Sequence, residues 1–568
     1  MPAAQAPIPP SPANRRRAWW GLLLVLVLDT AVLIFLIHHI LAFQQFPFDA
    51  DEANHALPAQ QMALALGAGD LGSFGRIFAA QNFYPPGVTW LKALVFLLWG
   101  GTAVTARLFS AISLFLVAPV LYAICLEIDQ RYGWLSGLIA ATLTLTMHSA
   151  LINGALVMLE MPGLLVSILA LWAYLRVLKR PSPARLLLTS LLLTLTILTK
   201  YTYGAVTLTA VALTELTLAA STFRHASRIT HHASHVTHHT SRITHHASRR
   251  WLYLFGPLIL ALLLWLARPG NLSGAVDYAQ PLAGNAAWLS WRGLAYYPLS
   301  LAQHETPAPL FALVNLAGLI WAFANWRNPG IRLLLLYFLA GMALIMFINH
   351  PFNPRFIATF VPTLHLLTAV MLTHTLHLTR RHWPQAPTWQ RAAILLLAGL
   401  LLLAAGQSVR TLPDRFRQFS DTLTVEIETH PALNDLAGWL QSKIPPDARF
   451  FLVNPWDQFS AAALTWRLAT TSQATWTIPS AVLSPATPDN LARFRHQLAE
   501  SQAAYVVVLE GGPWGAPAWP DYTAVIENGF DETTRRQFII PFYTQDEWGQ
   551  ANGRQELHIQ AIIYEREN

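Results

Sequence analysis

"PGVTWLKALVFLLW", residues 86–99, decides the topology of this chain, because every later segment changes sides if it crosses a bilayer. It holds fourteen residues, Lys92 among them. An apolar run of that length is more often interfacial or re-entrant than spanning, since a bilayer core of ~30 Å asks for about 20 residues. The sequence around it settles the matter through its charges.

Of the 568 residues, 54% are apolar and only 12% charged, and the mean hydropathy is +0.38. Soluble domains carry about 25% charged residues, so the composition is that of a membrane protein. Residues 19–41 form the first spanning run, preceded by Arg15, Arg16 and Arg17. The run exceeds a signal-peptide core of roughly 7–15 residues and no small-residue cleavage site follows. It is expected to be an uncleaved anchor with a cytoplasmic tail at 1–18. Ten further runs lie near 103–126, 133–150, 161–178, 185–199, 203–221, 251–267, 308–325, 332–349, 356–379 and 391–408. If 86–99 does not cross, the loops on the amino-terminal side hold eighteen Arg and Lys, against seven in the opposite loops of the membrane half. If it crosses, that bias reverses against the positive-inside rule. About eleven transmembrane helices plus one juxtamembrane or re-entrant helix are therefore expected.

This topology places a first outer loop at 42–102, and from residue 409 onward the composition is that of a soluble domain. "PALNDLAGWLQSKI" (431–444) and "LARFRHQLAE" (491–500) have helical spacing, while "RFFLV" (449–453) and "AYVVVLE" (504–510) read as short buried strands. A carboxy-terminal extracytoplasmic α/β domain over 409–568 follows. The single cysteine, Cys125, lies in an apolar run, so no disulfide forms within the chain. The net charge of +7 sits in short loops between apolar runs, a topological pattern and not a nucleic-acid footprint. Residues 222–250 repeat "SRITHHAS" at 227–234 and 241–248 and hold eight of the 21 His. Too few apolar positions exist for a coiled-coil seam; zinc capture is one reading, and a disordered cytoplasmic insert is the expectation.

Polar side chains with chemistry in them gather on the outer side. "FPFDADEANHAL" (46–57) brings Asp49, Asp51 and Glu52 directly after a spanning run. Glu52, His55, Ala56 and Ala59 have helical spacing, so these acids also suit a helix first turn or cap. Glu160 in "LEMPG" stands at the outer edge of another run, where a first-turn role is again open. Two carboxylates at one water–lipid boundary can hold a divalent cation, with Asp51 and Glu160 as its ligands, or one can act as general base. Arg107, Lys200 and Arg355 each sit where a run meets the outside. Each can be a snorkelling side chain; together they can hold a lipid phosphate. Asp29, mid-span, has no partner visible in the sequence.

The ordered set "DADEANHALPAQQMALALGAGD", "NFYPPGVTWLKALVFLLWGGTAVTARLFSAI", "LEMPGLLVSILALW", "LTKYTYG" and "NPRFIATFVPTLHLL" resembles the C-type (GT-C) glycosyltransferases. Within them the nearest likeness is to family 39, the group of the protein O-mannosyltransferases and the lipid A aminoarabinose transferases. The resemblance runs over about residues 15–410. It implies a plasma-membrane enzyme that moves a sugar from a polyprenyl-phosphate donor to an acceptor hydroxyl, with inversion. It also implies Asp51 as catalytic aspartate, Glu52 as its acidic neighbour, Glu160 as second acid, and Lys200 and Arg355 as phosphate holders. His55 and Tyr84 are further first-loop candidates. One departure stands out: some relatives have a lysine just before the "PP" pair, where this chain has Phe83 and Tyr84. No glycine-rich phosphate loop occurs, so no nucleotide cofactor is expected. The competing readings are a transporter or flippase of a lipid-linked substrate, and a silent assembly partner that binds polyprenyl sugars. An internal inverted repeat, frequent in transporters, is not visible.

Overall fold

The computed structural model describes residues 11–42, 48, 50–81, 84–230, 237–273, 276, 291–306, 310–347, 354–382, scattered positions over 388–410, and then 430–446, 448–454, 460–472, 478–481, 487–511, 520–545 and 551–567. The side chains of 222–248 and of a few other helix and strand ends are outside that description.

Helices follow the apolar runs. The long ones are α1 (Pro12–Ala42), α5 (Ala103–Ile128), α8 (Glu160–Lys179), α10 (Tyr201–Thr230) and α11 (Thr237–Leu266). Between them lie α2 (Ala50–Gly67), α3 (Leu71–Ala80), α4 (Gly87–Trp99), α6 (Gly133–Leu145), α7 (His148–Ala155) and α9 (Pro183–Thr199). After them come α12 (Trp291–Ser300), a π-turn at Leu301–Glu305, α13 (Phe311–Ala324), α14 (Pro329–Phe347), a 3-10 turn at Pro354–Ile357 and α15 (Val361–His382). Six helices among the described residues are long and apolar enough to cross a membrane, seven if the bent pair α6–α7 is one span. The chain is thus a multi-pass membrane protein. Two details bear on the sequence expectation of about eleven spans. The 133–150 run bends by 65° between α6 and α7, and the 391–408 run falls largely outside the described residues. The 86–99 segment is the thirteen-residue helix α4, too short to cross upright.

Lipid-facing and bundle-facing stripes separate cleanly. In α1, Val25, Val32 and Leu36 are buried while Leu23, Val27 and Ile34 remain exposed, a face that suits hydrocarbon. Inside the bundle, hydroxyl and amide side chains bond across helices: Ser136 to Thr373 (2.6 Å) and Thr368 to Asn315 (2.9 Å). Small residues permit close approach. A Cβ on Gly318 would stand 2.6 Å from Thr368 Oγ1, and one on Gly341 would strike the Phe360 ring.

Helix α10 continues into the His-rich repeat as far as Thr230, and α11 emerges from it at Thr237. The expectation of disorder over all of 222–250 is therefore revised. Helix propagation from a packed segment is far easier than nucleation, so flanking spans impose their conformation on the repeat.

The last portion has α16 (His430–Lys443), β1 (Phe450–Val453), α17 (Ala461–Ser472), β2 (Ser480–Ala481), α18 (Pro488–Ser501), β3 (Tyr505–Glu510), α19 (Pro520–Glu527), β4 (Phe530–Gln545) and β5 (Ala551–Arg566). They form an α/β unit around one five-stranded sheet of order β2-β1-β3-β5-β4. β1 pairs parallel to both β2 and β3; β5 is antiparallel to β3 and β4. This unit is docked on the membrane half. Trp466 of α17 packs on Phe48 (ring centroids 4.6 Å) and Phe96 (6.3 Å), joining α2, α4 and the sheet in one apolar core. Trp456, Trp514 and Trp519 of this portion lie outside the described residues.

Candidate active site

Helix α2 begins at the membrane edge with Asp51 and Glu52 in its first turn, where the helix dipole favours acids. Ala53, Ala56, Ala59 and Ala63 bury one face of it, the small side chains letting α4 and α17 approach. Adjacent acids on a helix point about 100° apart, so the two meet different surroundings. Glu52 turns inward and is 1% exposed. Its Oε1 accepts from Arg107 Nε (3.0 Å) and the Val157 amide (2.9 Å), and its Oε2 accepts from Arg107 Nη2 (2.8 Å). Arg107, 4% exposed, lies over the Phe48 ring at 5.3 Å.

Both of these sequence candidates take a different place from the expected one. Arg107 presents its bidentate edge to Glu52, so that edge is not open to a lipid phosphate. Glu52 has both oxygens engaged and buried, which suits an anchor and not a proton acceptor. The pair ties the start of α2 to α5 and to the chain at Val157, just ahead of α8.

Asp51 is the less buried of the two acids. Its Oδ2 accepts from Arg355 Nη1 at 2.7 Å, and both side chains remain about one-third exposed, 38% and 30%. Arg355 belongs to the 3-10 turn and also lies over Phe356 at 5.1 Å. Glu160 opens α8 and pairs with Lys200 Nζ at 3.4 Å, both nearly buried. Lys200 separates α9 from α10 and sits against the rings of Tyr203 (5.2 Å) and Phe356 (5.6 Å). Two glycines set this spacing. A Cβ on Gly87 would stand 2.7 Å from the Leu198 carbonyl oxygen, and one on Gly163 would enter the Tyr203 ring. Without side chains there, α4 and α8 press onto the α9–α10 junction that carries Lys200.

His55, one turn after Asp51, is buried and its ring meets Tyr84 at 4.9 Å. Burial, then the positive charges of Lys92, Lys200 and Arg355, hold its imidazolium pKa well below the ordinary value. His55 is therefore neutral at physiological pH, and three cations share its neighbourhood. Asp49 lies outside the described residues.

The structure adds a cation that was not among the sequence candidates. Lys92 is fully buried on α4; its ammonium donates to the His55 carbonyl at 3.3 Å and stands 5.8 Å from the Phe109 ring. Burial pushes its pKa down to about 7, against the pull of Glu52 and Glu160. A lysine inside a short apolar helix was the available signal. Glu305, also missed, ends the π-turn and is fully buried. It accepts from Ser149 Oγ (2.7 Å) and the Ser149 amide (3.3 Å), and its turn packs against the 3-10 turn of Arg355. π-turns interrupt helices and recur at functional sites.

The two acids expected as ligands of a divalent ion are each held in an ion pair. Asp51 and Glu160 each face a cation, and among the described residues no three His, Cys, Asp or Glu side chains gather in metal-binding fashion. The arrangement instead combines one accessible carboxylate, one neutral imidazole and three cations at one membrane edge. It can accept a proton and hold an anion side by side.

Comparisons with known proteins bear on the fold. The family model for dolichyl-phosphate-mannose-protein mannosyltransferase matches residues 84–238, the stretch that holds Lys92, Glu160 and Lys200. No curated protein is similar to the chain by sequence. Among solved structures, apo ArnT from Cupriavidus metallidurans superposes with a TM-score of 0.52 at 14% identity, covering 94% of this chain and 97% of that one. The archaeal oligosaccharyltransferase AglB from Archaeoglobus fulgidus, solved with an inhibitory peptide and a dolichol-phosphate, gives 0.50 at 13% identity, covering 93% and 74%. Both are C-type membrane glycosyltransferases, and this chain has their fold.

Proposed function

We propose, from the premise of a C-type glycosyltransferase fold, that this chain transfers a sugar from a polyprenyl-phosphate donor to an acceptor hydroxyl. The observation that carries the reading is the convergence of Asp51, His55, Lys92, Lys200 and Arg355 from separate segments onto one membrane edge. The donor's phosphate would lie among the cations, with its isoprenoid chain along the apolar helix surfaces. Arg355 would then be shared between Asp51 and the phosphate. As the guanidinium turns to the incoming phosphate, the Asp51 carboxylate is released to act as base.

Asp51 takes the proton of the acceptor hydroxyl while that oxygen attacks the anomeric carbon. The new glycosidic bond forms as the bond from the anomeric carbon to the phosphate oxygen breaks. The electron pair leaves on the phosphate, whose growing charge meets Arg355, Lys200 and Lys92. A single displacement from the opposite face inverts the anomeric centre. Glu160 keeps Lys200 in place, and neutral His55 is available as a hydrogen-bonding side chain without adding positive charge. Positive-inside counting supports an extracytoplasmic position for this edge and the docked α/β unit.

The test is chemical. Purified protein is incubated with synthetic polyprenyl-phosphate sugars and a membrane-plus-secretome extract, and products are read by mass spectrometry. Released polyprenyl phosphate with a matching new glycosidic bond is expected. Movement of intact donor across a vesicle membrane with no new bond would replace this reading by the flippase.

A further inference from the structure

A second cluster lies at the opposite membrane edge. Helices α8, α10 and α14 each carry the candidate active site at one end: Glu160 opens α8, Lys200 precedes α10, and Arg355 follows α14. Tyr174 and Glu215 lie fourteen and fifteen residues further along α8 and α10 than Glu160 and Lys200, a rise of roughly 21–23 Å at 1.5 Å per residue. Arg332 lies in the first turn of α14, at the end far from Arg355.

Arg107, Arg250 and Arg332 each have a buried or half-buried Nε–Nη2 edge, the flat side that takes two oxygens at once. In Arg107 that edge grips Glu52. In Arg250, at the far edge, it grips Glu215, with Nε at 3.0 Å and Nη2 at 2.6 Å from Oε1, while Tyr174 donates to the same oxygen at 2.7 Å. In Arg332 the side chain is 7% exposed, and both Nε and Nη2 are buried with no acceptor. Tyr174 is within electrostatic reach of Arg332, and Trp326 lies alongside at 6.0 Å. A Cβ on Gly330 would stand 3.2 Å from Leu175, which presses this turn onto α8. The nearby acids are already engaged: Glu215 by Arg250, and Glu127 by Lys179 (2.8 Å) and Arg176 (3.8 Å).

A buried cation with two open donors requires an anion, since burying an unpaired charge costs several kcal/mol. The flat edge suits two oxygens of a phosphate, the depth is that of a membrane boundary, and an aromatic side chain of the kind that borders headgroups stands beside it. We propose that Arg332 forms, with the α8 and α14 ends, a binding site for the phosphate of an anionic membrane lipid on the face opposite the candidate active site. Basic pockets between helix ends take lipid headgroups in this manner. Occupancy fixes α14 to α8, and so supports the turn that carries Arg355 at the other end of α14.

The experiment uses the full chain in nanodiscs of phosphatidylcholine with increasing phosphatidylglycerol, read by thermal unfolding and by lipid retention in native mass spectrometry. Phosphatidylglycerol is expected to raise the unfolding midpoint saturably and to be retained. Arg332→Gln is expected to weaken that dependence about fivefold or more, whereas Arg180→Gln, on an exposed side chain, leaves it unchanged. Should Arg332→Gln fail to fold, the wild-type titration still decides. A midpoint indifferent to phosphatidylglycerol, or one raised equally by inorganic phosphate in pure phosphatidylcholine, overturns the lipid site.

Discussion

Glu52→Gln separates the anchoring acid from the reacting one. In the native protein the Glu52 carboxylate accepts three hydrogen bonds at 2.8–3.0 Å, two from Arg107 and one from the Val157 amide. The amide of Gln cannot match that pattern, because one of its ends is a donor facing donors, and buried Arg107 loses its ion pair with the Glu52 carboxylate. Removing one partner of a buried pair costs ~3–5 kcal/mol, and this pair is at 1% and 4% exposure. Asp51→Asn removes a pair in which both side chains are about one-third exposed, where the cost is within ~1 kcal/mol. Equilibrium denaturation of the detergent-solubilised protein measures both. Glu52→Gln should lose several times more stability than Asp51→Asn, and Arg107→Met should recover much of the loss in a double-mutant cycle. Equal losses for the two acids, or a coupling near zero between Glu52 and Arg107, would refute the assignment of Glu52 as an anchor.

Lys92 gives a pH signature. Its folded pKa of about 7 lies below its ordinary 10.5, so the unfolded chain binds more protons between those values and stability rises with pH across that window. Lys92→Met should be more stable than wild type below pH 7, should flatten the rise, and should raise the KM for donor in transfer assays. Gly87→Ala places a methyl against the Leu198 carbonyl oxygen; a loss of ~1–3 kcal/mol and weaker donor binding are expected by calorimetry, while Gly75→Ala, with nothing within 4 Å, is neutral. Trp466→Ala opens the core shared by α17, Phe48 and Phe96 and should cost ~3–5 kcal/mol, seen as faster proteolysis between the membrane half and the sheet.

Much of the fold was legible because burial in lipid and in a soluble core leaves different marks. The apolar runs gave the spans, the helical spacing of Glu52, His55, Ala56 and Ala59 gave α2, and the β-rich pieces at 449–453 and 504–510 became the adjacent strands β1 and β3. The gathering of Asp51, Glu160, Lys200 and Arg355 at one edge was legible too, since each interrupts an apolar run at matching depth. What stayed hidden depends on contacts distant in sequence. Nothing in the chain pairs Glu52 with a residue 55 positions away, so Arg107 was expected to serve the ligand. Lys92 did not stand out as a site residue because α4 folds back along α2 only in three dimensions. The bend between α6 and α7 carries no proline to announce it. The β4–β5 hairpin escaped notice because "FDETTRRQF" is polar on its open face and lacks a continuous apolar run.

The most direct measurement is donor binding and sugar transfer by Asp51→Asn, recorded on one preparation. Retained binding of polyprenyl-phosphate sugar with no glycosidic product is the predicted outcome, because the cations remain while the proton acceptor is gone. Transfer at the wild-type rate would contradict it.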